Sequence, residues 1–284
     1  MNAPTTPVLG GSTAPFRTRD GVQLMQRDWP ADNPHARLLL VHGLGEHCGR
    51  YARLAADLNA IGVSVRSFDH RGHGLSEGKR GVIRAEPDCL AHDVVEVYNA
   101  YAAEGADRPF LLGHSLGGLV VMRAVTAHGL VPRGLVASSP ALAAHATAFE
   151  RLLSRTLMKL APDLTVANGL PADKLSHAAN VEDEYMNDPL RHGRISARLA
   201  QFIFDTGPQV VANAARLQVP TLLQVAGSDL LVDPAGSRAF AASAPPQRLQ
   251  FHDYSDLYHE IYNEAEPARS GVVRDLLDWL RRHF

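Results

Sequence analysis

Short apolar runs alternate along the chain with longer stretches in which apolar residues recur at three- and four-residue spacing. Residues 38–41, 63–68, 110–112, 134–137, 221–225 and 249–252 form the runs, most of them continuous enough to be strands buried on both faces. Between them, 51–60, 89–103, 119–127, 235–242 and 272–280 carry helical spacing. Ahead of the first run, 16–19 and 22–28 flank Asp20-Gly21, a pair suited to the positive φ angles of a tight turn, and predict an antiparallel hairpin at a sheet edge. Strands alternating with helices predict an α/β fold: a mainly parallel sheet, helices on both faces, and any active site at the carboxyl ends of the strands.

The alternation lapses over 142–220, where helical patterns occur without convincing strands. An insertion that leaves after one core strand and returns before the next is expected to be a helical cap over the active edge. The core is then 15–141 together with 221–284. Residues 1–14, rich in Thr, Pro and Gly, read as a flexible arm without the charged start or apolar stretch of a signal peptide. No run approaches the ~20 residues that cross a bilayer, so a cytoplasmic protein is expected, with peripheral contact at a membrane surface left open.

Composition narrows the classes. Hydrophobic residues at 45% and charged residues at 20% fit a globular chain with a sizeable core. Basic and acidic residues nearly cancel, 28 against 30, so there is no broad positive field for a nucleic acid. Two cysteines, Cys48 and Cys89, supply neither a disulfide framework nor CxxC spacing. Nothing in the pattern sets an oligomeric state.

The chemistry starts at Gly113-His114-Ser115-Leu116-Gly117, between the strand 110–112 and a helix beginning near Gly118. A nucleophile on a sharp strand-to-helix turn needs small neighbours on both sides, where a Cβ would meet adjoining backbone. Such a turn also points the serine at the positive end of a helix. Serine alone is a weak nucleophile and needs an imidazole held by a carboxylate, in the order Ser, Asp or Glu, His for this fold. Asp229 lies in the loop after 221–225 and is the candidate acid. Its rival Asp233 precedes Pro234 and suits a helix cap. Among fourteen histidines, His259 stands in the loop between the last strand and the last helix, whereas His252 is within that strand and His283 at the end.

Two backbone donors must face a developing oxyanion. Leu116 follows the nucleophile, and His42-Gly43-Leu44-Gly45, after strand 38–41, can aim the Leu44 N–H inward. Asp69-His70-Arg71-Gly72-His73-Gly74-Leu75-Ser76 offers two histidines and an aspartate, yet its glycines indicate a tight structural turn rather than a metal site. In the cap, Phe149, Leu152, Leu153, Leu157 and Leu160 share one helical face, with Arg151, Arg155 and Lys159 elsewhere. That face either roofs a pocket or rests on a lipid surface.

With these residues in view, the chain resembles the monoacylglycerol lipase and lysophospholipase branch of the α/β-hydrolases from about Phe16 onward. The likeness rests on His42-Gly43-Leu44-Gly45-Glu46-His47 with Gly49-Arg50-Tyr51, the 69–76 turn with Glu77-Gly78, and the elbow through Gly118. It continues through Tyr185, Asp188-Pro189-Leu190, Gly227-Ser228-Asp229 and Tyr258-His259-Glu260. It implies an α/β-hydrolase fold and hydrolysis of a lipid carboxylic ester by Ser115, Asp229 and His259, with the Leu44 and Leu116 amides and no cofactor or metal. Members of the group often have Gly where this chain has Asp256, a residue type that tolerates a left-handed backbone. A carboxylesterase, a thioesterase or an aminopeptidase on the same scaffold stays open, as does a non-catalytic ligand receptor.

Overall fold

The computed structural model describes residues 10–86 and 88–284. The chain opens with strands β1 (Ser12–Arg17) and β2 (Gln23–Trp29), joined through Asp20-Gly21, where Gly21 has φ of 88°. Next come β3 (Ala36–Val41), α1 (Ala52–Asn59), β4 (Val63–Phe68), α2 (Cys89–Ala102), β5 (Phe110–His114), α3 (Leu116–Ala127) and β6 (Leu135–Ser138). The insertion holds α4 (Ala148–Leu160), β7 (Thr165–Ala167), α5 (Ala179–Asn187), β8 (Arg194–Ser196) and α6 (Ala197–Ala212). After it come β9 (Thr221–Ala226), α7 (Pro234–Ser243), β10 (Leu249–Tyr254) and α8 (Ala268–Arg281).

Eight strands form one sheet in the order β1-β2-β4-β3-β5-β6-β9-β10. β2 runs antiparallel to β1 and β4, and every other pairing is parallel. Successive strand residues point to opposite faces, and this splits the core in two. Leu39, Val41, Leu111, Leu135, Ala137, Leu223 and Val225 face one way, under α2, α3 and α7. Leu38, Leu40, Phe110, Leu112, Val136 and Leu222 face the other, under α1 and α8. The expected fold class, a mainly parallel α/β sheet with helices on both faces, is the one observed.

Local differences have physical reasons. β1 starts at Ser12, so the end of the segment expected to be a loose arm is sheet. Its side chains are mostly exposed and it is held by main-chain pairing from Ser12 opposite Asp28 to Arg17 opposite Gln23, which leaves little apolar signal. Residues 1–9 of that arm lie outside the described residues. The insertion contains a small antiparallel pair, β7 with β8, of three residues each, too short to show alternation. Its last helix, α6, packs on α3 and α7 and buries Leu199 and Val210 in the main core. Among the described residues, no helix is long and apolar enough to cross a membrane.

Candidate active site

Ser115 sits between β5 and α3 with φ of 54° and ψ of −119°, a left-handed conformation that costs ~1–3 kcal/mol for a side-chain-bearing residue. Three main-chain bonds hold it there. Its N–H donates to Ser138 O at 3.0 Å, and its carbonyl accepts from Leu119 and Ala141, each at 3.0 Å. A Cβ on Gly113 would strike the Gly117 carbonyl, and one on Gly117 would strike the carbonyls of Val41 and His42. The two glycines let the elbow close against its neighbouring strands.

Asp229, two residues beyond Gly227 at the tip of β9, accepts at Oδ1 from the N–H groups of Leu231 and Val232, 2.8 and 2.9 Å away. Its Oδ2 lies 2.6 Å from His259 Nδ1. A carboxylate only accepts, so Nδ1 carries the proton and Nε2 is left as the acceptor. Both residues are almost fully buried. Burial works to raise the Asp229 carboxyl, but the charge and hydrogen bond of His259 outweigh it and hold the carboxyl below its ordinary value. Burial likewise works to lower His259, but the charge and hydrogen bond of Asp229, with the nearby charges of Glu260 and Glu46, together outweigh it and hold the imidazole above its ordinary value. Asp233 caps α7, accepting from Ala235 N at 2.9 Å, as its place before Pro234 predicts. His252 faces Asp275, and His283 binds Trp279 O.

The loop after β3 lies against the elbow, for a Cβ on Gly43 would come within 3.1 Å of Ser115 Cβ. His42 stiffens it, with Nδ1 2.7 Å from Gly43 O and Nε2 accepting from His70 N at 2.9 Å. Burial drives its pKa down to about 3, which keeps the ring neutral. Glu46 accepts from Tyr51 Oη at 2.7 Å and from Arg50 at 2.9 Å, and Arg50 also grips both oxygens of Glu260. That ion cluster ties the loop to the residue after His259. Leu116 opens α3, where helix N–H groups lack intrahelical acceptors, and among the described residues no protein group accepts from the Leu44 or Leu116 amide.

Ser115, Leu116, Leu44 and His259 all line one cavity of about 330 Å³. The rest of its wall is largely apolar: Leu153 and Leu157 of α4, Leu164, Val166, and Ile203 and Phe204 of α6. His145, not singled out by sequence, also lines it and has Nε2 3.1 Å from the Asp229 carbonyl. The α4 face is thus divided. Leu157 and the 45%-exposed Leu153 line the cavity, while Leu152 and Leu160 are 62% and 78% exposed and do not. The Phe149 side chain lies outside the described residues.

In the turn at 69–76, Asp69 spends its carboxylate on the N–H groups of Cys48 and Leu75, 2.8 Å each, which is a structural use. Asp256 has no positive φ; among the described non-glycine residues only Asp88, Ser115 and Ser139 do. The turn before His259 therefore does not call on the left-handed tolerance expected at Asp256.

A family model described as serine aminopeptidase, S33, matches residues 32–266. A monoacylglycerol lipase of Mycolicibacterium smegmatis is 33% identical over 272 residues, covering 93% of this chain and 95% of that one. Phospholipase YtpA of Bacillus subtilis is 33% identical over 87% of this chain and 95% of its own length. Among solved structures, the monoacylglycerol lipase of Paleococcus ferrophilus superposes with a TM-score of 0.83 at 34% identity, over 92% of this chain and 99% of that one.

Proposed function

The chain belongs to the family described as serine aminopeptidase, S33, and we propose, with the likeness to a monoacylglycerol lipase and a phospholipase in support, that it is a serine hydrolase of lipid carboxylic esters, taking a monoacylglycerol or a lysophospholipid to fatty acid and alcohol. The observation that carries this reading is a serine at a strained elbow opening, with a carboxylate-held imidazole, onto one apolar cavity. Ser115 is the nucleophile. His259 Nε2 takes its proton, and Asp229 keeps the imidazole in the Nδ1–H tautomer and stabilises the imidazolium that forms. Ser115 Oγ bonds to the ester carbonyl carbon, and the oxyanion rests on the Leu44 and Leu116 amides. His259 returns the proton to the departing alcohol. Water, deprotonated by the same ring, then attacks the acyl carbon, and as its bond to Oγ breaks the ring returns the proton to Ser115 and the fatty acid leaves. No step needs a metal or cofactor.

The cavity wall supports an acyl chain over an aminoacyl group. An aminopeptidase must pair its substrate's free ammonium, and among the described residues no carboxylate lines this cavity. A substrate panel checks the choice. Glycerol monoesters of medium and long acyl chains should exceed aminoacyl amides in kcat/KM by at least ~10²-fold, because the amide's charged amine would be left unpaired. Cleavage of the aminoacyl amides alone would overturn the lipase reading. Aryl esters and acyl thioesters in the same assay separate a general esterase or thioesterase.

The outward half of α4 supports transient contact with a lipid surface. Leu152 and Leu160 expose apolar area beside the basic residues Arg151, Arg155 and Lys159. The paired substitution L152S/L160S should lower turnover of a monoester carried in phosphatidylglycerol-containing vesicles roughly tenfold. Turnover of a water-soluble short-chain ester should stay at the wild-type level. Equal losses on both substrates would place these leucines in the fold instead.

A further inference from the structure

Glu264, in the turn before α8, is 2% exposed and carries an unusual load of hydrogen bonds. From its own loop it accepts from Tyr258 N at 2.8 Å and from Ala265 N at 3.2 Å. From the insertion it accepts the N–H of His177 at 3.0 Å, and its other oxygen lies 2.9 Å from His177 Nδ1. The Ser176 hydroxyl, which bonds Asn263 O at 2.9 Å, lies 3.3 Å from the same carboxylate. The His177 ring stacks on Tyr258, with centroids 3.7 Å apart.

These contacts bracket His259. The N–H one residue before it is taken by Glu264, and the N–H one residue after it, on Glu260, donates to the carbonyl of Leu175 in the insertion at 2.8 Å. The backbone on both sides of the imidazole is thus set by the segment 175–177, once directly and once through a shared carboxylate. Asp229 controls the ring from its Nδ1 side, but a hydrogen bond to the ring does not fix the main chain that carries it.

Resting on the reading of His259 as the base, we propose that Glu264 is a positioning residue through which the seating of the cap segment 175–177 sets the catalytic imidazole. A displacement near 1 Å in such a group costs up to ~10²-fold in rate, so the effect belongs in kcat rather than in substrate affinity.

The test uses a water-soluble short-chain ester together with the rate at which an active-site phosphonate labels Ser115. E264Q should lower kcat and the labelling rate by roughly 10- to 100-fold, with KM within about threefold of wild type. E264D, which keeps the acceptor, should recover part of both rates. The cap-side pair S176A/H177A, with Glu264 intact, should lower kcat in the same direction. Folded E264Q that labels at the wild-type rate overturns the proposal, as does wild-type kcat in the cap-side pair. If E264Q fails to fold, E264D and the cap-side pair decide, and wild-type labelling in both overturns it. A wild-type protein that neither cleaves esters nor takes label would remove the reading of the site itself, a different outcome.

Discussion

Replacing Ser115 with Ala is expected to lower kcat for ester hydrolysis by about 10⁶-fold while leaving the fold in place. The loss is large because the nucleophile and base work as a unit: without Oγ no acyl-enzyme forms, and His259 has no proton to take. The fold should survive because the elbow is held by main-chain bonds to Ser138, Leu119 and Ala141, none of which uses the hydroxyl. Alanine meets the same φ of 54° as serine does. Melting should stay within about 4 °C of wild type, the shift expected for less than ~1 kcal/mol in a chain of this size. Purified S115A that still turned over its substrate would require a different nucleophile.

The second large effect concerns Asp229. D229N keeps the shape of the side chain but removes its charge, and an amide N–H turned toward Nδ1 favours the tautomer with the proton on Nε2, where the base must accept. A loss of about 10³- to 10⁴-fold in kcat/KM is expected. The pH profile supplies the sign. Activity needs neutral His259, so kcat/KM rises as pH climbs through the pKa of that ring. In the wild type the Asp229 charge works to raise this pKa above the ordinary histidine value, so the acid limb lies on the high side of it. Asparagine withdraws that charge while burial, which lowers the pKa, persists, so the limb moves to lower pH. A D229N limb unchanged from wild type would mean that the carboxylate does not govern the base.

Local chemistry made much of this legible in the sequence. The tight turn at Ser115 was legible from glycines whose absence of Cβ has a steric cause, and the Asp233 cap from the proline after it. Strands β3, β5 and β6 read as apolar runs because both sheet faces are covered, whereas β4 alternates Val63 and Val65 with Ser64 and Arg66. α3 begins at Leu116 rather than near Gly118, because helical spacing says little about a first turn packed against two other strands. What periodicity does not carry is which charges meet across the fold. Arg50 and Glu260 are 210 residues apart, and Glu264 and His177 87 apart, so their pairing depends on topology that no local pattern encodes. The insertion was hard to read for a related reason. α4 has one apolar face in sequence, but in space Leu153 and Leu157 line the cavity while Leu152 and Leu160 face solvent, with Leu153 open to both.

Peptide mapping by mass spectrometry after exposure to an active-site phosphonate addresses the proposed chemistry at its root, since the reagent marks only a serine activated by its neighbours. One adduct per chain is expected, on the peptide that contains Ser115, formed much more slowly in D229N and absent in S115A. An unmodified Ser115 in the folded wild-type protein, or a label found on another residue, would contradict it.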